Sequence, residues 1–247
     1  MIKLEKNFHP LCLRPSEAKR LTDEFKTTKA SVWNFEALKN ALLETSHGKC
    51  AYCECDLTKE SKYMEVEHFC DKDTYPDDVV VWRNLLPACK RCNGSKGTHD
   101  VISEPIVNPY EVDPRDHFWF RLYRLRAKTL PGEESLGVLD LNNSDRAVLV
   151  RFYIGETVHK LLERALEILV TYQTNGATRT KNRLFGTVKE LLLECQPSAE
   201  YAATASSVVH SDETYRKLTN QMSKLGLWNS ELVDLHERSK GVAIDVK

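Results

Sequence analysis

Residues 50–53 read Cys50-Ala-Tyr-Cys53 and residues 89–96 read Cys89-Lys-Arg-Cys92-Asn93-Gly-Ser-Lys96, with Glu67-His68 and Asn84 between the two pairs. Each CxxC lets two thiolates reach one ion from a tight turn, so four at this spacing predict a closed structural zinc site built from Cys50, Cys53, Cys89 and Cys92. Cys55 offers a substitute ligand in Cys53-Glu-Cys55, but two residues between ligands is the usual knuckle, which favours Cys53. Zinc bound there contributes on the order of 10 kcal/mol to folding, enough to fix a small loop-rich unit without a large core. A lone histidine in such a segment is more often structural. The carboxylate beside His68 and the amide directly behind Cys92 point to chemistry, because a neutral imidazole takes a proton from water while an acidic side chain holds a divalent ion at a phosphate.

Working outward, Met64-Glu-Val-Glu-His-Phe alternates like a strand, and Asp71-Lys-Asp-Thr-Tyr-Pro-Asp-Asp is a polar turn before the apolar run Val79–Trp82. Two short strands, or a hairpin-like loop, followed by a helix from about Lys90 is the economical arrangement. Upstream, a helix is expected over 35–46, with Asn34 as N-cap, Trp33 and Leu38 as a hydrophobic staple, and Gly48 near its end. Downstream, Pro105, Pro109 and Pro114 argue against helix over 104–114. From Ser144 the pattern is helical, with Gly155 expected to loosen a first long segment that Asn175-Gly176 stops, and further helices near 183–195, 198–209, 212–225 and 230–238. The class expected is α+β, predominantly α, divided as an N-terminal helical segment (1–46), a zinc-containing core (47–105) and a mainly helical region for partner or nucleic acid (106–247).

The 247 residues are 41% hydrophobic and 29% charged, ordinary for a globular protein. The opening Met1–Lys6 lacks the apolar region of a signal peptide, and no run approaches the roughly 18 apolar residues of a membrane span, so a cytoplasmic protein is expected. Without a signal peptide, eight cysteines in paired spacing favour metal over disulfides; Cys12, Cys70 and Cys195 read as small core residues. A net charge of −1 gives no general attraction to a polyanion, so nucleic-acid binding would rest on local patches or on a partner. Lys90, Arg91 and Lys96 beside the second cysteine pair are candidates, as are Arg121, Arg124 and Arg126 in the aromatic-basic stretch Arg115–Lys128. That stretch fits two readings, a nucleic-acid groove or an ordinary strand with a buried aromatic face and a solvated basic one. Arg179, Lys181 and Arg183 read as a solvated helix start.

Glu67-His68, Trp82-Arg-Asn84-Leu85 and Leu86-Pro-Ala-Cys89-Lys-Arg-Cys92-Asn93-Gly-Ser-Lys96-Gly97 resemble the HNH endonucleases that carry a four-cysteine zinc clip and a ββα-metal core. The resemblance implies that His68 is the general base, that Asn84 orients it, that Glu67 and Asn93 ligate a catalytic Mg²⁺ or Mn²⁺, and that Lys96 touches phosphate. Glu67 stands where the family often has Asp, and Asn93 where it often has His. Val107–Phe118, Gly137–Asn142 and the helical tail are similar to the PtuB family, the HNH subunits of Septu-type and retron-associated anti-phage systems. That similarity implies a PtuA-like ATPase partner and, in a retron setting, a reverse transcriptase with its RNA–DNA hybrid. Two other readings of the same residues stand beside it: an RNase, for example one aimed at tRNA, and a non-catalytic zinc-knuckle interaction module.

Overall fold

A computed structural model of the chain describes residues 1–59 and 63–247. The class is α+β, predominantly α, with two small two-stranded sheets among the described residues. The chain divides into two compact units, Met1–Phe118 with Arg126–Leu141 and Trp119–Leu125 with Asn142–Lys247.

In the first unit, helix α1 (Pro15–Thr28) starts on a proline, whose missing N–H costs nothing at that position, and buries Leu21 and Phe25. Helix α2 (Glu36–Thr45) buries Leu38, Leu42 and Thr45, an i, i+4, i+7 stripe of which Leu38 and Leu42 pack into one core with Phe25, Val66, Val79, Val80, Trp82 and Leu85. The expected cap is not made: the chain enters α2 through extended Phe35 with no side-chain cap, and Asn34 is exposed. Trp33 instead packs edge-on against Phe25 and against His68, which ties the entry to α2 to the histidine.

Strand β1 (Met64–His68) pairs antiparallel with β2 (Leu85–Cys89), in a register that sets His68 against Leu85 and Met64 against Cys89. The apolar run Val79–Trp82 is thus not a strand; it closes the loop between the two, with Val79 and Val80 buried. Helix α3 (Lys90–Lys96) follows β2 directly, and the Cys89 thiol accepts the Cys92 N–H at its start. In chain order, helix α4 (Pro114–His117) precedes and helix α5 (Leu130–Val138) follows the hairpin of β3 (Phe118–Arg121) and β4 (Arg124–Ala127). In that hairpin Phe118 and Phe120 are buried while Arg121 is exposed, the alternation of an ordinary strand.

The second unit is a helical assembly of α6 (Leu149–Asn175), α7 (Thr178–Leu193), α8 (Ala202–Ser211), α9 (Glu213–Lys224) and α10 (Ser230–Lys240). Its core comprises Leu162, Leu169, Val188, Leu192, Val209, Leu218 and Leu232 among others, with Cys195 buried among them. No described helix is long and apolar enough to cross a membrane.

Candidate functional site

The thiols of Cys50, Cys53, Cys89 and Cys92 lie within 4.8 Å of one another, and the Cys53 and Cys89 sulfurs are 3.8 Å apart. Sulfurs at about 2.3 Å from a tetrahedral zinc are separated by about 3.8 Å, so the donor set and its spacing fit that ion. Backbone bonds shape the cradle: Cys50 N–H donates to the Cys55 carbonyl, Glu54 N–H to the Cys50 carbonyl, and Ala51 N–H to the carbonyl of Pro87 on β2. Glu54 takes the left-handed conformation this turn requires. Cys55 is buried beside the group but outside the set of four.

His68 ends β1 with its ring buried and its Nε2 2.9 Å from the Val79 carbonyl. A carbonyl only accepts, so Nε2 carries the hydrogen and Nδ1 of the neutral ring carries the lone pair. Burial pulls its pKa down to about 4, against a smaller opposing contribution from the Val79 hydrogen bond, so the ring is neutral at pH 7. Among the described residues Asn84 makes no hydrogen bond to the ring. Its Oδ1 accepts the Cys70 N–H at 2.7 Å, and its Nδ2 donates to the Cys70 and Asp78 carbonyls at 3.1 Å. One buried amide thereby closes the loop whose next residue, Val79, holds the histidine.

Glu67 and Lys96 are both buried, with Lys96 Nζ 2.9 Å from Glu67 Oε1 and 2.9 Å from the His68 carbonyl. The Tyr52 hydroxyl, from within the first cysteine pair, donates to the same Oε1 at 3.3 Å. Burial pushes the Glu67 carboxyl up to about 7, and the Lys96 ammonium opposes that rise. Lys96 Nζ is thus spent inside the fold on Glu67 and the His68 carbonyl rather than at the surface, where a phosphate contact would need it. Asn93, half-buried on α3, donates from Nδ2 to Glu65 Oε2 at 2.7 Å. A cavity of about 470 Å³ is lined by Glu65, Glu67, His68, Asp71 and Asn93, together with Trp33, Lys39 and Lys72.

The chain is 49% identical over 235 residues to the Septu protein PtuB of Bacillus thuringiensis, an alignment covering 94% of this chain and 90% of that one. The chain belongs to the PtuB family. A Septu protein PtuB of Bacillus mycoides (strain KBAB4) is 29% identical over 190 residues, covering 59% of this chain and 64% of that one. No protein-family model matches the chain, and no solved structure does.

Of the basic candidates in this PtuB-family chain, Lys90 and Arg91 are exposed on α3, Arg121 and Arg126 are exposed on the β3–β4 hairpin, and Arg124 is half-buried with its guanidinium near the Asn142 carbonyl. Arg179, Lys181 and Arg183 are exposed on the first turns of α7. Several cavity residues carry no motif. Glu65 was legible in principle, since period-2 alternation puts it on the same face of β1 as Glu67. Trp33 and Lys39 come from a segment that nothing local ties to His68, while Asp71 and Lys72 come from the polar turn that follows it. His99 bonds through Nε2 to the Glu104 carbonyl at 2.7 Å and forms with Glu104 and Glu134 a second group of metal-ligand types, in which Glu104 is exposed.

Proposed function

We propose that this PtuB-family chain is a metal-dependent HNH-type endonuclease that hydrolyses nucleic-acid phosphodiester bonds, acting as the effector of an anti-phage system beside a PtuA-like ATPase. The observation that carries the reading is the state of His68: a neutral ring with Nε2 committed to Val79, one residue from Glu67, and sharing a cavity with Asn93. Nδ1 is then the atom that takes a proton from an attacking water. Val79 holds the ring, and Asn84 holds the loop that carries Val79, so Asn84 acts as a positioning residue. Glu67 and Asn93 are the groups that would hold a divalent cation, which supplies positive charge to the phosphate and its leaving oxygen when bound. Lys39 and Lys72 at the cavity, with exposed Lys90 and Arg91, offer cations to the backbone of the substrate. A net charge of −1 leaves much of the nucleic-acid affinity to a partner, in keeping with the role implied by the family.

In the test, zinc-loaded protein, alone and with the co-expressed ATPase, is assayed for nicking with Mg²⁺ or Mn²⁺ after EDTA treatment. Cleavage should return with the metal, and His68→Ala should lower it by about 10²-fold or more with zinc content unchanged. Unimpaired cleavage by folded His68→Ala protein removes His68 from the mechanism, and metal-independent behaviour with no cleavage supports the interaction-module reading. Co-purification of an ATPase, with or without a reverse transcriptase, identifies the system.

A further inference from the structure

Helix α3 lies along β1 in a two-rung register: Asn93 meets Glu65 and Lys96 meets Glu67. Residues two apart on a strand face the same way, and residues three apart on a helix do too, so the two elements match rung for rung. The lower rung is an ion pair that anchors Glu67. The upper rung does something different, because Asn93 is an amide and an amide has two ends.

A cation takes the oxygen of an amide and is repelled by its NH₂ group, so Asn93 serves as a ligand in one of its two senses only. A carboxylate offers acceptors and no donor, and Asn93 Nδ2 is 2.7 Å from Glu65 Oε2. Turned the other way, Oδ1 would face a carboxylate oxygen. Glu65 thus selects the sense in which Nδ2 is spent on the strand and Oδ1 is left without a donor among the described residues, on a side chain that lines the cavity with Glu67 and His68. We propose that Glu65 is a positioning residue that fixes the sense of the Asn93 amide and so presents Oδ1 to the divalent cation. This rests on the reading that Glu67 and Asn93 hold that cation. Glu65 lies outside the Glu67-His68, Asn84 and Asn93 signature, and its contribution is that of a partner which orients a ligand, the kind of contact whose loss costs about 10- to 100-fold in metal affinity.

The test is a double-mutant cycle on the full zinc-loaded chain, with Mn²⁺ affinity read by the loss of the free-ion EPR signal and zinc content checked for every variant. Glu65→Ala should weaken Mn²⁺ binding about 10- to 100-fold in the wild-type background. In an Asn93→Asp background the same substitution should cost nothing, since a carboxylate presents oxygen in either sense and needs no selection. Equal losses in both backgrounds would mean that Glu65 binds the cation directly or merely supports the strand, and would overturn the proposal, as would unchanged affinity of Glu65→Ala. Should Glu65→Ala lose zinc, Glu65→Gln carries the same cycle, because an amide that both donates and accepts no longer selects a sense. Glu67→Gln is the control on the underlying reading: if it leaves Mn²⁺ affinity intact, the cation site itself is wrong, and that failure is distinct from a flat cycle with Glu67→Gln impaired.

Discussion

Lys96 takes a full positive charge out of water, and the group it meets there is Glu67. Neither charge is comfortable alone in the interior. Removing one partner of such a pair costs about 3–5 kcal/mol where the other stays charged; the Glu67 carboxyl, already pushed up to about 7, takes up a proton once Lys96 is gone, which lowers that cost. Lys96→Met should therefore lower the thermal midpoint of the zinc-loaded protein by a few °C, and by more above about pH 8, where proton uptake by Glu67 itself costs free energy. Adding Glu67→Gln should restore most of that loss, since the double variant buries no unpaired charge. A Lys96 that met phosphate would behave otherwise, leaving the midpoint unchanged and reducing the salt dependence of nucleic-acid binding. The sequence places Lys96 three residues after Asn93, hence on a shared face, but the direction of that face depends on where β1 lies. The resemblance to the HNH family supplies the residue and leaves its surroundings open. Glu65 is the converse case, absent from the signature and yet in contact with one of its members.

At the scale of elements, legibility follows how local the determining physics is. Strand β1, helix α3 and the tail helices were readable because each carries its own periodicity, and the cysteine spacing was readable because the ion's geometry dictates it. The second strand lies at Leu85–Cys89, beyond the apolar run Val79–Trp82, a placement left open by the local pattern since the register of a sheet is settled by its partner. The Asn34 cap failed because Trp33 is drawn toward Phe25 and His68, a tertiary contact that fixes the entry to α2 without it. Gly155 shows the same limit within the second unit. Its sequence suggests a loosened helix, but α6 runs through it unbroken, and a Cβ there would lie 2.3 Å from Cε1 of Tyr123. Tyr123 and Leu122 both take positive φ at the hairpin tip, and the Tyr123 ring packs edge-on against Phe152. On an unpartnered helix Gly→Ala stabilises by about 1 kcal/mol. Gly155→Ala should instead destabilise, by about 1–3 kcal/mol in urea denaturation, because the ring must leave its seat. A stabilised variant would show that Tyr123 does not need that seat.

For the whole molecule, the two units are held together by different means, and perturbations should therefore address them separately. The first has its apolar core around Phe25, Leu38, Leu42 and Leu85, and its four-cysteine cluster joins the Cys50–Cys53 turn to β2 and α3. The second has a continuous helical core with no part in that cluster. Chelation at pH 7.5 should remove on the order of 10 kcal/mol of folding free energy from the first unit alone. Circular dichroism should then show a melting curve that has lost one transition and keeps a helical one. Acid acts on the survivor. In the second unit His210 sits between His236, 5.1 Å away ring to ring, and Ser239, whose hydroxyl is 2.7 Å from its Nε2. Tyr215 bonds His236 from α9, while Glu237 and Lys240 are the charged neighbours on α10. Burial pulls the His210 pKa down to about 4, with His236 and Lys240 adding to the fall, and burial lowers that of His236 as well. Below the ordinary value of about 6.5 the unfolded chain takes up protons that the folded unit refuses, so stability is complete above that pH and is lost progressively toward pH 4. After discounting for the partial exposure of the ring, His210 should contribute a loss of about 1 kcal/mol between pH 7 and pH 5. In zinc-free protein, where thiolate protonation no longer matters, the remaining transition should fall by a few °C over that range, and His210→Asn should flatten the slope. An unchanged slope in that variant would place the acid sensitivity elsewhere in the second core.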